Sequence, residues 1–150
     1  MKDLFDLNVS NEVIERINKL SNTSTPSWGK MDVEQMLAHC NVTYEFLYDD
    51  KHPKPKPIAK FFLKLFVKSI VCGDKPYKKQ SQTAPAFLIK EKREFDTEKT
   101  KLIENILKTQ KLGEDYFSNR ESHSFGKLTT HEWNNMFYKH LDHHLTQFNA

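Results

Sequence analysis

Residues 32–49 (DVEQMLAHCNVTYEFLYD) constrain the fold more than any other stretch. Asp32 and Gln35 have the spacing of a capping box, and Met31 and Met36 that of a hydrophobic staple, so a helix starts here. Val33, Met36, Leu37, Cys40, Tyr44, Leu47 and Tyr48 fall on one apolar stripe, and Gln35, His39, Val42 and Phe46 on a second. Only Glu34, Ala38, Asn41, Glu45 and Asp49 are left for solvent. A helix with two inward stripes needs neighbours on two sides, which is the demand of a helical bundle.

Four more helices are expected. The first runs from about Val9 to Ser21, capped by Ser10, with Val13, Ile17 and Leu20 inward. Three alternating prolines break the chain between Asp50 and Pro57. A helix follows over about 58–71, apolar nearly all round except for Lys60, Lys64 and Lys68; it is expected to be buried with these lysines outward. Residues 72–95 lack periodicity, and Ala86–Ile89 reads as a short extended stretch. The next helix runs from Asp96 to about Leu112, with Leu102, Ile103, Ile106, Leu107 and Gln110 on one face and Gly113 as its stop; a loop follows. The last runs from Thr129 to about Phe148, with Thr129 and Glu132 as a second capping box and Leu128 and Trp133 as a second staple. Trp133, Phe137, His140, His144 and Phe148 line one of its faces. The expectation is one all-α domain over residues 1–150.

Composition narrows the function classes. With 37% hydrophobic residues in 150 the chain can build a core, and 4 Gly and 6 Pro fit a turn-rich all-β fold poorly. Cys40 and Cys72 are too few for a disulfide framework and read as small core residues. The acidic, amphipathic start MKDLFDLNVSNEVIERI does not read as a signal peptide, and no apolar run is long enough to span a bilayer. A cytoplasmic location is expected. Net charge is +3, but residues 51–93 carry twelve Lys or Arg against two acids, a balance of +10. Such asymmetry suits an anionic small molecule or lipid surface, or is a solvated face. No aromatic-basic motif supports nucleic acid as the partner. A basic amphipathic helix can lie on a membrane, but the 58–71 helix is expected to be buried, so a membrane partner is not expected. Its apolar surface also offers a contact for a homodimer.

Histidines carry the chemistry. His140 and His144 stand at i and i+4 on the apolar face of the last helix, where both imidazoles can reach one metal ion. The intervening residues are Leu-Asp-His, so this is not a metalloprotease HExxH helix. His143 lies about 100° round the helix from His144, and Asp142 points away from His140 towards solvent. His39, on the second stripe of its helix, is the candidate third ligand. Three neutral imidazoles leave a coordination position open, the form of a catalytic site, and suit zinc, nickel, iron or copper. His52 and His131 read as surface residues, and Tyr138 as a candidate for the cavity rim. The alternative is that all these histidines are ordinary polar residues in a wet bundle core.

MDVEQMLAHCNVTYEFL (31–47) and FGKLTTHEWNNMFYKHLDHHLTQF (125–148) resemble the DinB/YfiT-like superfamily of metalloenzymes, in the subfamily ending in a KHLDHHLxQF-like helix. Trp28-Gly29 and Thr83-Ala84-Pro85-Ala86-Phe87 match its Trp-Gly loop and its PTAPAF-like crossover. The resemblance implies a DinB-like four-helix bundle with a long crossover between core helices 2 and 3, residues 50–95 here, holding the 58–71 helix as an insertion. It implies a divalent metal on His39, His140 and His144. Where the family loop reads His-Pro-x-Phe-Gly, this chain has His123-Ser124-Phe125-Gly126, shorter and without the proline, so no role carries over to His123.

Some DinB-like relatives are similar to thiol S-transferases that join bacillithiol or mycothiol to an electrophile. The implied reading is a bacterial, metal-dependent transferase acting on an anionic low-molecular-weight thiol, with Lys75, Lys78 or Lys79 as partners of the thiol's carboxylates. Metal-dependent hydrolysis is the sister reading. A non-enzymatic scaffold or ligand-binding bundle, or a peripheral membrane binder using helix 58–71, are the alternatives from other classes.

Overall fold

The chain enters its first helix at Asp6, not at Ser10. Helix α1 spans Leu7–Asn18, and the Asp6 carboxylate accepts from the N–H groups of Asn8 and Val9. Ser10 is turned inward instead, and its hydroxyl donates to the Leu4 carbonyl at 2.5 Å. A computed structural model describes residues 1–49 and 51–150; Asp50, the first residue of the expected break, lies outside them. Helix α2 (Val33–Tyr48) has the expected capping box between Asp32 and Gln35. Both of its stripes are covered, and so are Ala38 and Asn41, which were expected to face solvent.

The crossover departs most from expectation. Helix α3 (Pro57–Phe62) opens with proline in its first turn, where no N–H is missed. A π-helical turn (Leu63–Val67) joins it to α4 (Lys68–Cys72). This stretch is not buried with its lysines outward. Ile58, Phe61, Phe62, Leu65, Phe66 and Ile70 are exposed, while Lys60 and Lys68 turn back to pair with Glu121 (3.5 Å) and Glu132 (2.7 Å). In the stretch Ala86–Ile89, expected to be extended, Ala86 and Phe87 belong instead to a 3-10 turn, Pro85–Phe87, and Leu88 after it is extended.

Helix α5 (Phe95–Ser118) is capped by Glu94, and its first run stops at Gly113 as expected, where φ 69° and ψ 174° are not helical. What was not expected is that a second helical run follows this kink, in place of a loop, and brings Phe117 into the core. Leu107 was expected on its inner face but is exposed. The expected loop beyond contains a two-residue hairpin: β1 (Glu121–Ser122) runs antiparallel to β2 (Gly126–Lys127), with Ser122 opposite Gly126. Helix α6 (Thr130–Gln147) has the expected capping box between Thr129 and Glu132.

The chain is therefore mostly helical. α2 packs on α5 and α6, α1 packs on the same two, and α4 rests on α6. Asn41 is buried because α5 lies on its side of α2: its amide donates to the Glu98 carbonyl and carboxylate (3.0 and 2.9 Å) and accepts from Asn105. Arg16 ties α1 to the end of α6 through Asp142 (2.7 Å) and the Ala150 carbonyl (3.0 Å). At the centre, Phe5, Tyr44, Phe117, Trp133 and Phe137 form one aromatic cluster. Among the described residues no helix is long and apolar enough to cross a membrane.

Candidate metal centre

One turn beyond Phe137, the apolar face of α6 changes from aromatic to imidazole. His140 and His144 follow at helical spacing, with ring centroids 4.8 Å apart. His39 meets them from α2, its centroid 4.9 Å from His140 and 4.5 Å from His144. One nitrogen from each of the three lies within 4.8 Å of the others, close enough for a single ion. All three side chains are buried. His143 does not join them. It sits half-buried outside the cluster, edge-on to Trp28 and Tyr77.

The second nitrogen of each ring is committed elsewhere. His39 Nδ1 donates to the Phe87 carbonyl (2.9 Å), and His144 Nδ1 donates to Gln147 Oε1 (2.9 Å). A carbonyl oxygen only accepts, so in both rings the proton is on Nδ1 and Nε2 keeps its lone pair. His140 Nδ1 lies 3.0 Å from the Thr43 hydroxyl, and its Nε2 lies 2.9 Å from His39 Nε2. A hydroxyl can donate or accept, so Thr43 permits either tautomer. With Thr43 donating, His140 Nε2–H bonds to His39; with Thr43 accepting, the His140 lone pair also faces the centre. Outer partners of this kind fix the orientation of metal-binding imidazoles.

Burial, then the neighbouring imidazoles, pushes the pKa of His140 well down, and burial with the nearby His39 takes His144 to about 3. Burial also lowers His39, against the pull of the Phe87 carbonyl. The rings are thus neutral near pH 7, as metal ligands must be. Below their ordinary value of 6.5 the unfolded chain takes up protons that the folded chain refuses, so folding stability falls with pH. From His144 alone, metal-free protein is expected to lose up to ~1.4 kcal/mol per pH unit as pH drops from 6.5 towards 3, and His39 and His140 act in the same direction. Glu45 acts in a lower window: burial opposes its ionisation, but hydrogen bonds from Lys101 and His52 hold it down to about 2. Urea midpoints measured in chelator at pH 7 and 5 check this; equal midpoints would contradict the histidine burial described.

The crossover forms the walls. Phe87 packs against His39 and His140, with centroids at 5.3 and 5.8 Å. Tyr77 stands edge-on to His140 (6.3 Å). Its segment is held by Lys139, a buried lysine with no carboxylate partner among the described residues, whose ammonium donates to the carbonyls of Ile70 (2.8 Å), Gly73 and Lys75 (3.2 Å) at the end of α4. Burial lowers its pKa. The Trp28-Gly29 loop closes the other side. Gln147 donates to the Trp28 carbonyl (2.6 Å), and a Cβ on Gly29 (φ +87°) would come within 2.6 Å of that amide nitrogen.

The other candidates lie apart from the triad. Lys79 lies beside the Trp28-Gly29 loop, its ammonium 4.1 Å over the Trp28 ring. Lys75 and Lys78 are exposed, with no side-chain hydrogen bond or ion pair among the described residues. Tyr138 is buried near Lys2, Arg16 and Asp142, away from the expected rim position. Asp142 is engaged by Arg16. His123 stacks on Phe46 (4.5 Å) and lies 3.3 Å from the His52 carbonyl. His52 is half-buried on Glu45 (2.9 Å) rather than free at the surface, whereas His131 is exposed and pairs with Asp74 (2.7 Å). Cys40 and Cys72 are buried free thiols, and burial raises Cys72 to about 12. Sequence reasoning missed Thr43 and Gln147. Their signal was helical spacing, since Thr43 lies four residues after His39 and Gln147 three after His144.

A family model described as "Protein of unknown function (DUF1569)" matches residues 1–150. No curated protein and no solved structure matches the chain.

Proposed function

We propose that this chain, which belongs to the DUF1569 family, is a DinB-type four-helix bundle that holds one divalent metal ion on His39, His140 and His144 and transfers an anionic low-molecular-weight thiol to an electrophile. One observation carries the reading: three buried imidazoles converge while Phe87, Thr43 and Gln147 engage their Nδ1 atoms. The donor set fits zinc, nickel or iron. In the bundle reading α1, α2, α5 and α6 are the core helices, and the crossover lies between α2 and α5.

A divalent ion supplies Lewis acidity, which lowers the pKa of a thiol or a water towards neutrality. The residues around it favour the thiol. Among the described residues no carboxylate joins the histidine cluster, so water has no such general base beside it. A thiolate needs none once its proton has passed to solvent. Its sulfur electron pair forms the new S–C bond, and the leaving group departs with the bonding pair. Lys79 would hold the thiol's carboxylate, with Trp28 and Tyr77 as side walls.

The test mixes metal-reconstituted protein with a thiol and a fluorogenic electrophile. Conjugation should require the metal. Lys79→Glu should raise KM about fivefold for a carboxylate-bearing thiol, with kcat nearly unchanged, and leave 2-mercaptoethanol unaffected. Metal binding without conjugation of any thiol would reject the transferase and leave a non-catalytic metal-binding bundle.

A further inference from the structure

Helices α3 and α4 and the π turn between them turn an apolar face away from the protein. Ile58, Phe61, Phe62, Leu65, Phe66 and Ile70 are 52–75% exposed. The first five recur at helical spacing, and Phe62 and Phe66 stack at 6.1 Å. The stretch is anchored from behind. Leu63, Val67 and Val71 pack on the core, Lys60 and Lys68 pair with Glu121 and Glu132, and Lys139 caps the end of α4. The apolar face is therefore presented by a fixed element rather than a loose strand of chain.

Charge decides what covers it. The stretch lies inside the segment 51–93, with its balance of +10. Among the described residues Lys54, Lys56 and Lys64 are exposed and have no ion-pair partner, and Asp74, one of the segment's two acids, is paired with His131. A second copy of the chain meeting this face symmetrically would set one such segment against another. An anionic bilayer offers the opposite charge together with an apolar layer beneath it.

We propose that this face docks the protein on an anionic lipid bilayer, the six apolar side chains entering the headgroup–acyl boundary and Lys54, Lys56 and Lys64 lying among the headgroups. The stretch is too short to span the bilayer, so it lies in the plane of the surface. Docking on this face is independent of the metal chemistry proposed above.

Co-sedimentation of the full chain with vesicles tests it. Vesicles of phosphatidylcholine mixed with phosphatidylglycerol should pellet the protein at low salt, and phosphatidylcholine alone should not. Phe61→Ser with Phe66→Ser should weaken binding more than about tenfold. Both positions are exposed, so an unchanged thermal midpoint by circular dichroism confirms that the variant folds. Glutamate at Lys54, Lys56 and Lys64 should remove the preference for phosphatidylglycerol, at about fivefold per lysine. Failure to pellet with the anionic vesicles, or equal binding to both vesicle types, overturns the proposal. A concentration-dependent dimer in sedimentation velocity that the serine variant abolishes, with no vesicle binding, assigns the face to a second copy instead.

Discussion

Phe137→Ala should lower the unfolding free energy by about 3–5 kcal/mol. The ring is buried and lies parallel to Tyr44, 5.6 Å away at an interplanar angle of 4°. It also stacks on Trp133 at 5.7 Å and meets Phe117 and Phe5 edge-on at 5.4 and 6.4 Å. These neighbours come from α2, α5, α6 and the segment before α1. Each is held by further aromatic contacts, so none can move far to fill the space, and a cavity term adds to the lost transfer energy. Urea denaturation should show a lower midpoint at an unchanged slope, and the thermal midpoint should fall by roughly 10 °C. Leu107→Ala, at an exposed position of α5, should change stability by no more than about 0.5 kcal/mol. A cost for Phe137→Ala below about 1 kcal/mol would mean that the aromatic cluster is not the core.

One turn along the same helix face the expected effect changes kind. His140→Ala should leave the protein folded and weaken divalent-metal binding by more than about 100-fold. Loss of an outer partner alone costs 10–100-fold in comparable sites, and a ligand should cost more. Gln147→Leu should fall in that lower range of about 10–100-fold, because it removes the acceptor that holds His144 Nδ1–H and so the ring's orientation. The graded pair separates a metal centre from a buried polar cluster. If the histidines were only core residues, neither variant would change metal binding and both would act on stability alone. Competition titration against a chromogenic chelator measures both affinities.

Helix starts were legible where the local chemistry is decisive. Asp32–Gln35 and Thr129–Glu132 each satisfy two backbone groups within four residues, and no distant contact alters that. The His140–His144 pair was legible for the same reason, since one helix places both rings. His39 was legible as a member of the second inward stripe and hence as the candidate third ligand, which the family resemblance also implied.

What stayed hidden depended on contacts between elements. Asp6 and Ser10 are both good caps, and the choice fell to Asp6 because Ser10 is drawn inward to the Leu4 carbonyl. Gly113 does stop the first run of α5, but the second run beyond it was hidden, because it is held by Phe117 packing into the aromatic cluster. Asn41 reads as solvent-facing until Glu98 and Asn105 arrive from α5. Periodicity shows that residues 58–71 are amphipathic but not which side the chain covers. Glu121 and Glu132 draw Lys60 and Lys68 inward, and the apolar side is left outside.

The three-histidine centre is tested most directly by the metal content of purified, untagged protein. Wild type should be measured beside His39→Ala and His140→Ala, with folding confirmed by circular dichroism. Wild type should carry about one equivalent of a divalent metal, and either folded variant little. No metal in wild type after reconstitution with zinc, nickel and iron, or full retention in both variants, would contradict the three-histidine centre.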